Sequence, residues 1–444
     1  MTSANFQQNK KFIHRLNIIG CALIFFNHTA QALTIENWQT EKGSRVYFVQ
    51  TNELPITDIQ VVFDAGSARD EQQFGLAALT ANVLDTGTKT WNAEEIAQRF
   101  ESVGANFNVH TTADNTTVSL RTLSDKLLFD KAVDTMHMIL SNPRFAKTDF
   151  QREKKRTLAA LKQREESPSE LASMLLHKTI YQEHPYGHPS MGFLNTVEKL
   201  TENDCRLFYE KYYTASNAII VIIGNLSKMQ AEETATNLTD GLIKGEKPQP
   251  LPNVPTLMHA DEKHLEFPSS QTHVLMGYTG INRKDPDYFS LYVGNHILGG
   301  GSLVSKLFDE IREKRGLAYS ASSAFMPMLM QGIFVASLQT RNDQTKQAID
   351  IMRKTITDFV ENGVNESELN TVKNNIIGSF PMRFDTNKEL ANYVAMIGFY
   401  EMPLDYLDTF QQKIQNVSAS DIKDAFKRHL AIDKFQTITV GKTQ

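Results

Sequence analysis

The sequence predicts an α+β fold of two homologous halves, each with a largely antiparallel sheet flanked by helices. Three observations carry that expectation. The stretch "GLIKGEKPQPLPNVPTLMHADE", Gly241 to Glu262, holds four prolines, two glycines and no apolar period, so it reads as a linker. The segments on either side of it, residues 33–240 and 263–444, repeat one order of strand-like and helix-like patterns. In both, hairpin-like strands and helices fall in segregated runs, which favours antiparallel pairing.

In chain order, residues 1–32 come first and read as a secretory signal peptide. Lys10, Lys11 and Arg15 precede an apolar run from Leu16 to Phe26, and "AQA" at Ala30 to Ala32 supplies a small-residue cleavage site. The run is too short to span a bilayer. Cleavage near Ala32 and export to a bacterial periplasm are expected. The alternative is lipidation of Cys21, since "IIGC" loosely resembles a lipoprotein box. Losing three positive charges and no acids takes the formal net charge from −5 to −8. With no basic stripe elsewhere, that argues against a nucleic-acid partner. Cys205 is then the sole cysteine, in "TENDCRLFYEKYY", where an amphipathic helix would bury it as a small apolar residue.

The first half begins with "DIQVVFDAGSARDE", an alternating strand running into a polar turn, and the second with "QTHVLMGYTGINRKDPDY". Each is followed by a helix of about four turns and a turn rich in glycine or threonine. Two more strands, a polar turn and a long helix come next. Both halves close on a helix and a strand, "AIIVIIGN" and "FQTITVGK".

Candidate chemistry is sparse. In "FGLAALTANVLDTGT", Leu76, Leu79, Val83 and Leu84 make one buried stripe, and Gly87 sits where the helix would stop. The other face carries Ala78, Ala81 and Asn82 at the spacing of zinc ligands. Alanine offers no lone pair and asparagine is a poor zinc ligand, so the helix activates no water. His184 and His188 in "EHPYGHPSMG" are spaced i, i+4, but Pro185 and Gly187 prevent the helix that would present both rings. A rigid turn is the reading there.

"LGGGSLVSKLF" sets Gly299, Gly300 and Gly301 before a helix with the stripe Leu303, Leu307 and Ile311. The Lys-Ser/Thr pair of a phosphate loop is absent. Close approach by a backbone or an extended peptide explains the glycines better. Arg312 falls near the end of that helix and Tyr319 starts the next strand. Either they are an exposed arginine and a half-buried tyrosine, or both project over one cleft. In the second case Arg312 binds a peptide carbonyl and the Tyr319 hydroxyl donates to an oxyanion.

These stretches resemble the pitrilysin/insulysin family of zinc peptidases, which includes the mitochondrial processing peptidases. "GLAALTANVLDTGT" is similar to the family's metal helix, "HPYGHPSMGFLNTVEKLTENDCRLFYEKYYTASNAIIVIIGN" to the close of its N-terminal half, and "LGGGSLVSKLFDEIREKRGLAYS" to its glycine loop with an arginine–tyrosine pair. The family's inverted motif is H-x-x-E-H, and here it reads Ala78-Leu-Thr-Ala81-Asn82. Alignment through Glu153 and Pro168 puts Ala160 where the family has its third ligand, a glutamate. The resemblance implies a metal-less chain forming half of a clam-shell chamber, with Arg312 and Tyr319 kept as the substrate-binding pair.

Two functions follow. The first is the non-catalytic subunit of an exported heterodimeric peptidase, itself without a cofactor, acting on peptides at a zinc-bearing partner's site. The second is a peptide-binding or scaffold protein with no proteolytic role, for which a homodimer is an option.

Overall fold

The computed structural model describes residues 34–443. The predicted leader, its cleavage at Ala32 and Cys21 lie outside the described residues. The first half builds a six-stranded sheet from β1 (Glu36–Gln39), β2 (Arg45–Gln50), β3 (Ile56–Phe63), β4 (Asn106–Thr111), β5 (Thr116–Leu123) and β6 (Ala218–Gly224), in the order β1-β2-β6-β3-β5-β4. The second builds a five-stranded sheet from β7 (Asp261–Glu266), β8 (Gln271–Thr279), β9 (Ala318–Met326), β10 (Ile333–Arg341) and β11 (Gln436–Gly441), in the order β7-β11-β8-β10-β9. Leaving out β1, the two orders are the same strand for strand. In each sheet one pair is parallel, β2 with β6 and β7 with β11, and every other pair is antiparallel. The repeat in the sequence is thus a repeat of topology.

Burial pattern follows strand position. β6 is buried along its whole length, as "AIIVIIG" demands, because helices cover both faces of a central strand. β4 alternates exposed and half-buried residues at the free edge. On one face the first sheet's Ile59, Val61, Val118 and Ile220 join a core with Leu76, Leu79, Val83 and Phe208. Cys205 lies in that core, and burial pushes its thiol up to about 12.

The halves exchange a helix. Helix Pro168–Tyr181 of the first half packs on β8 and β11 of the second sheet, with Ala172, Leu176 and Ile180 against Ile438 and Val440. Gly277 on β8 makes room: a Cβ there would lie 3.0 Å from Leu176 and 3.1 Å from Ile180. Helix Asn387–Phe399 of the second half packs in the same way on β6 and β3 of the first sheet. A Cβ on its Gly398 would come within 2.7 Å of the Tyr47 ring. Asp114, at the β4–β5 turn, bolts the halves together. It accepts from the Tyr186 hydroxyl, from the Leu329 backbone N–H at 2.8 Å and from the Tyr400 hydroxyl at 2.9 Å.

Two local expectations are corrected. The helices after β3 and β8 are shorter than four turns: Leu76–Leu84 has nine residues, and Tyr288–Asn295 has eight before a π-helical turn, His296–Gly300. The first stops early because the Thr86 hydroxyl donates to the Val83 carbonyl at 2.7 Å and Gly87 bridges to Asn92. Leu303 is not part of a buried stripe. The helix starts only at Lys306, after the extended Ser305, so Leu303 sits in a short 3-10 turn, 68% exposed, while Leu307 and Ile311 are buried.

Residues 243–260 hold no helix or strand, and β7 takes in Asp261 and Glu262. This stretch is pinned throughout. Arg69 donates to the Gln249 carbonyl at 2.6 Å, Gln436 donates to the His259 carbonyl at 2.9 Å, and Leu251 and Leu257 are buried.

Candidate functional site

The helix Leu76–Leu84 begins with Gly75 at φ 96°, a conformation that suits glycine. Asp70 caps it: Oδ2 accepts from Gly75 N–H at 2.7 Å and Oδ1 from Ala77 N–H at 2.8 Å. Burial pushes the Asp70 carboxyl up to about 8, against the pull of those bonds. The cap and the leucine stripe fix which face looks outward. That face meets helix Lys147–Glu165, and together with β4 they line a cavity of about 380 Å³ containing Ala81, Asn82, Asp85, Glu153, Arg156, Thr157 and Ala160. Ala78, one turn before Ala81, is buried.

The donors in that cavity do not fit zinc. The Glu153 carboxylate is taken by two guanidiniums, Arg152 Nε at 3.0 Å and Arg156 Nη1 at 3.1 Å. Burial raises the Asp85 carboxyl above its usual range, favouring its protonated form. Asn82 and Asn108 supply amides and Thr157 a hydroxyl, and no imidazole lines the cavity. Among the described residues, one group of His, Cys, Asp and Glu converges closely enough for a cation: Asp285, Asp287 and His429. Arg428 already occupies Asp287 through two bonds, 2.7 and 3.0 Å, so this is an ion cluster tying two helix ends together.

The histidine pair forms a turn. His184 accepts from Tyr186 N–H at 3.1 Å on Nδ1 and bonds the Pro252 carbonyl through Nε2 at 3.0 Å, which fixes one neutral tautomer. His188 stacks on Phe74 with ring centres 4.2 Å apart. Burial lowers the pKa of both, so each is neutral in the fold. Since unfolded histidine titrates near ~6.5, acid favours the unfolded chain, and His188 loses its share of stability as pH falls below that value. The destabilisation caused by His188→Gln is therefore expected to shrink between pH 7 and pH 5. Denaturant melts of both proteins across that range check it. A constant difference would place a charged ring in the folded state.

In the second half, a π-helical turn and a strand start bring Arg312 and Tyr319 together. The Arg312 guanidinium lies 4.5 Å from the centre of the Tyr319 ring and 4.9 Å from that of Phe308, and its Nη1 donates to the Tyr319 carbonyl at 3.1 Å. Tyr319 itself is 81% exposed. The glycines beside them serve close packing. A Cβ on Gly299 would sit 2.4 Å from the Ser323 backbone nitrogen on β9, and one on Gly301 2.6 Å from the His296 carbonyl. Gly300 lines a larger cavity between the halves, of about 910 Å³.

That cavity contains residues the sequence did not single out. Arg283, Arg383, His296, Tyr292 and Tyr400 line it, with the hairpin tip that carries Asp114. These positions are far apart in the chain and follow no common spacing. The only signal was "INRKDPDY", a charged turn after β8.

Comparison with known proteins follows the same outline. Residues 45–192 match the insulinase (peptidase family M16) family and residues 199–376 the peptidase M16 inactive domain. A Helicobacter pylori protein described as the non-peptidase homolog YmxG is 28% identical over 426 residues, 96% of each chain. A Rickettsia felis protein described as an uncharacterized zinc protease is 26% identical over 395 residues, covering 87% of this chain and 93% of its own. The crystal structure of a peptidase M16 inactive domain from Pseudomonas fluorescens superposes with a TM-score of 0.90 at 33% identity, covering 93% of this chain and 98% of that one.

Proposed function

The chain belongs to peptidase family M16 as an inactive member, and we propose that it is the non-catalytic, substrate-binding subunit of an exported zinc-dependent peptidase. One observation supports this above others: Ala81, Asn82 and Ala160 share one cavity whose two carboxyls are poor zinc ligands, Glu153 being held by arginines and Asp85 pushed by burial toward its protonated form. A peptidase scaffold kept intact around a site unable to bind zinc has its use in company. The partner in this reading is a homologous chain with an intact H-x-x-E-H motif. Arg312 holds Tyr319 from behind through its ring and its carbonyl, leaving the exposed hydroxyl free to donate to an oxyanion formed at the partner's metal.

The experiment is reconstitution in the periplasmic form. The purified chain is expected to contain no stoichiometric zinc and to cleave no peptide. Mixed with a zinc-bearing M16 relative from the same organism, it is expected to form a 1:1 complex and raise peptide turnover. Zinc held around positions 78–82 of the isolated chain would overturn the proposal. Peptide binding by a lone monomer or homodimer, with no effect on the relative's turnover, would assign a scaffold role instead.

A further inference from the structure

The cavity between the halves is lined by two guanidiniums, those of Arg283 and Arg383. Arg283 contacts the faces of Tyr288 and Tyr400, at 5.9 and 5.3 Å, and its Nε is buried with no hydrogen-bond partner. Arg383 donates to the Tyr292 hydroxyl at 2.5 Å, and its cation lies 5.9 Å from that ring. Among the described residues neither forms an ion pair. Asp114, the one acid lining the cavity, has both oxygens engaged by Tyr186, Leu329 and Tyr400. Burial and the neighbouring Arg383 lower the pKa of His296, and burial lowers that of His177, so the permanent positive charges in the lining are the two arginines. A chain of net charge −5 with 51 acids has ample means to pair them. Leaving a partly desolvated guanidinium unpaired is costly unless a ligand completes it.

From this arrangement we infer that the cavity is a carboxylate-binding site, in which Arg283 and Arg383 take an acidic group of a bound peptide. The inference rests on the peptide-holding role proposed above and specifies its substrate class. A guanidinium binds a carboxylate through two parallel N–H donors, and the Tyr292 hydroxyl, which accepts from Arg383, keeps its own proton to donate in the same wall. Gly300 lines the same cavity. A chain passing Gly300 therefore faces the space that the arginines line. The carboxylate has two sources in a peptide, its C-terminus and an internal Asp or Glu.

The test measures binding of fluorescent decapeptides of one sequence to the full mature chain. One set varies the end group, free carboxylate against amide, and another varies an internal Glu against Gln. The carboxylate form in at least one set is expected to bind about 10- to 100-fold more tightly, and the set that discriminates names the source. Arg283→Gln and Arg383→Gln, each checked for an unchanged melting temperature, are expected to abolish that preference while leaving binding of the neutral peptide in place. Equal affinity for charged and neutral peptides in both sets would overturn the inference with no variant needed, and would leave the proposed subunit role standing. A preference that survives both substitutions would also overturn it. Failure of every peptide to bind would remove the peptide-holding role together with it.

Discussion

Tyr319→Phe, in the chain reconstituted with its zinc-bearing partner, is expected to lower kcat for peptide cleavage by ~10²–10³ with KM little changed. The substitution removes one hydroxyl and nothing else. The ring stays under the Arg312 guanidinium, and the bond from Arg312 to the Tyr319 carbonyl is made to the backbone. Tyr319 is 81% exposed, so stability should change by less than ~0.5 kcal/mol. A donor that acts only on the developing negative charge raises kcat and leaves ground-state binding alone. Arg312→Lys keeps the charge and loses both the flat stack and the fixed bond to the carbonyl. It should therefore loosen the tyrosine and give a smaller loss in kcat. Steady-state kinetics on the reconstituted pair decides the matter. Unchanged kcat in Tyr319→Phe would remove the tyrosine from the reaction and leave an exposed ring stacked on an arginine.

Expressed separately, residues 33–240 and 241–444 are each expected to fail to fold, and together they are expected to assemble. The sequence divides at the linker, but the packing does not. Helix Pro168–Tyr181 of the first half covers the second sheet, and Asn387–Phe399 of the second covers the first. Ala172, Leu176 and Ile180 have at most 1% of their surface exposed, and uncovering a leucine or isoleucine costs about 1.5–3 kcal/mol. A few such side chains match the whole stability of an ordinary domain, ~5–15 kcal/mol. Each isolated half would also strip one face of its sheet. Calorimetry of the intact chain should accordingly give one transition, which Leu176→Ala lowers as a whole at a cost of ~2–5 kcal/mol. Two transitions, or a soluble half with native circular dichroism, would show that the exchanged helices are dispensable.

Much of the fold could be read along the chain because it is written in local periodicity. The alternation in "DIQVVFDAGSARDE", the unbroken apolar run "AIIVIIGN" and the repeated order of elements lead to two sheets of the same strand order. The Leu76–Leu84 stripe was visible for the same reason, whereas positions 78, 81, 82 and 160 stood out only through the resemblance to the family's metal site. A missing functional group needs no coordinates to be seen.

Periodicity reports that a face is covered but not what covers it. Leu303 fitted the stripe of Leu307 and Ile311 and is exposed, because the chain enters that helix three residues later. Leu176 and Leu79 look alike in sequence, yet one packs within its own half and the other on the opposite sheet.

The sequence by itself determined the repeated α+β design and the apolar stripe of helix Leu76–Leu84. Only the tertiary structure decided the exchange of helices, the three-way bond of Asp114, the stacking of Arg312 on Tyr319 and the placing of Arg283 and Arg383 on one cavity. Those features join residues up to a few hundred positions apart, and no local pattern encodes a contact whose two sides are set by different elements.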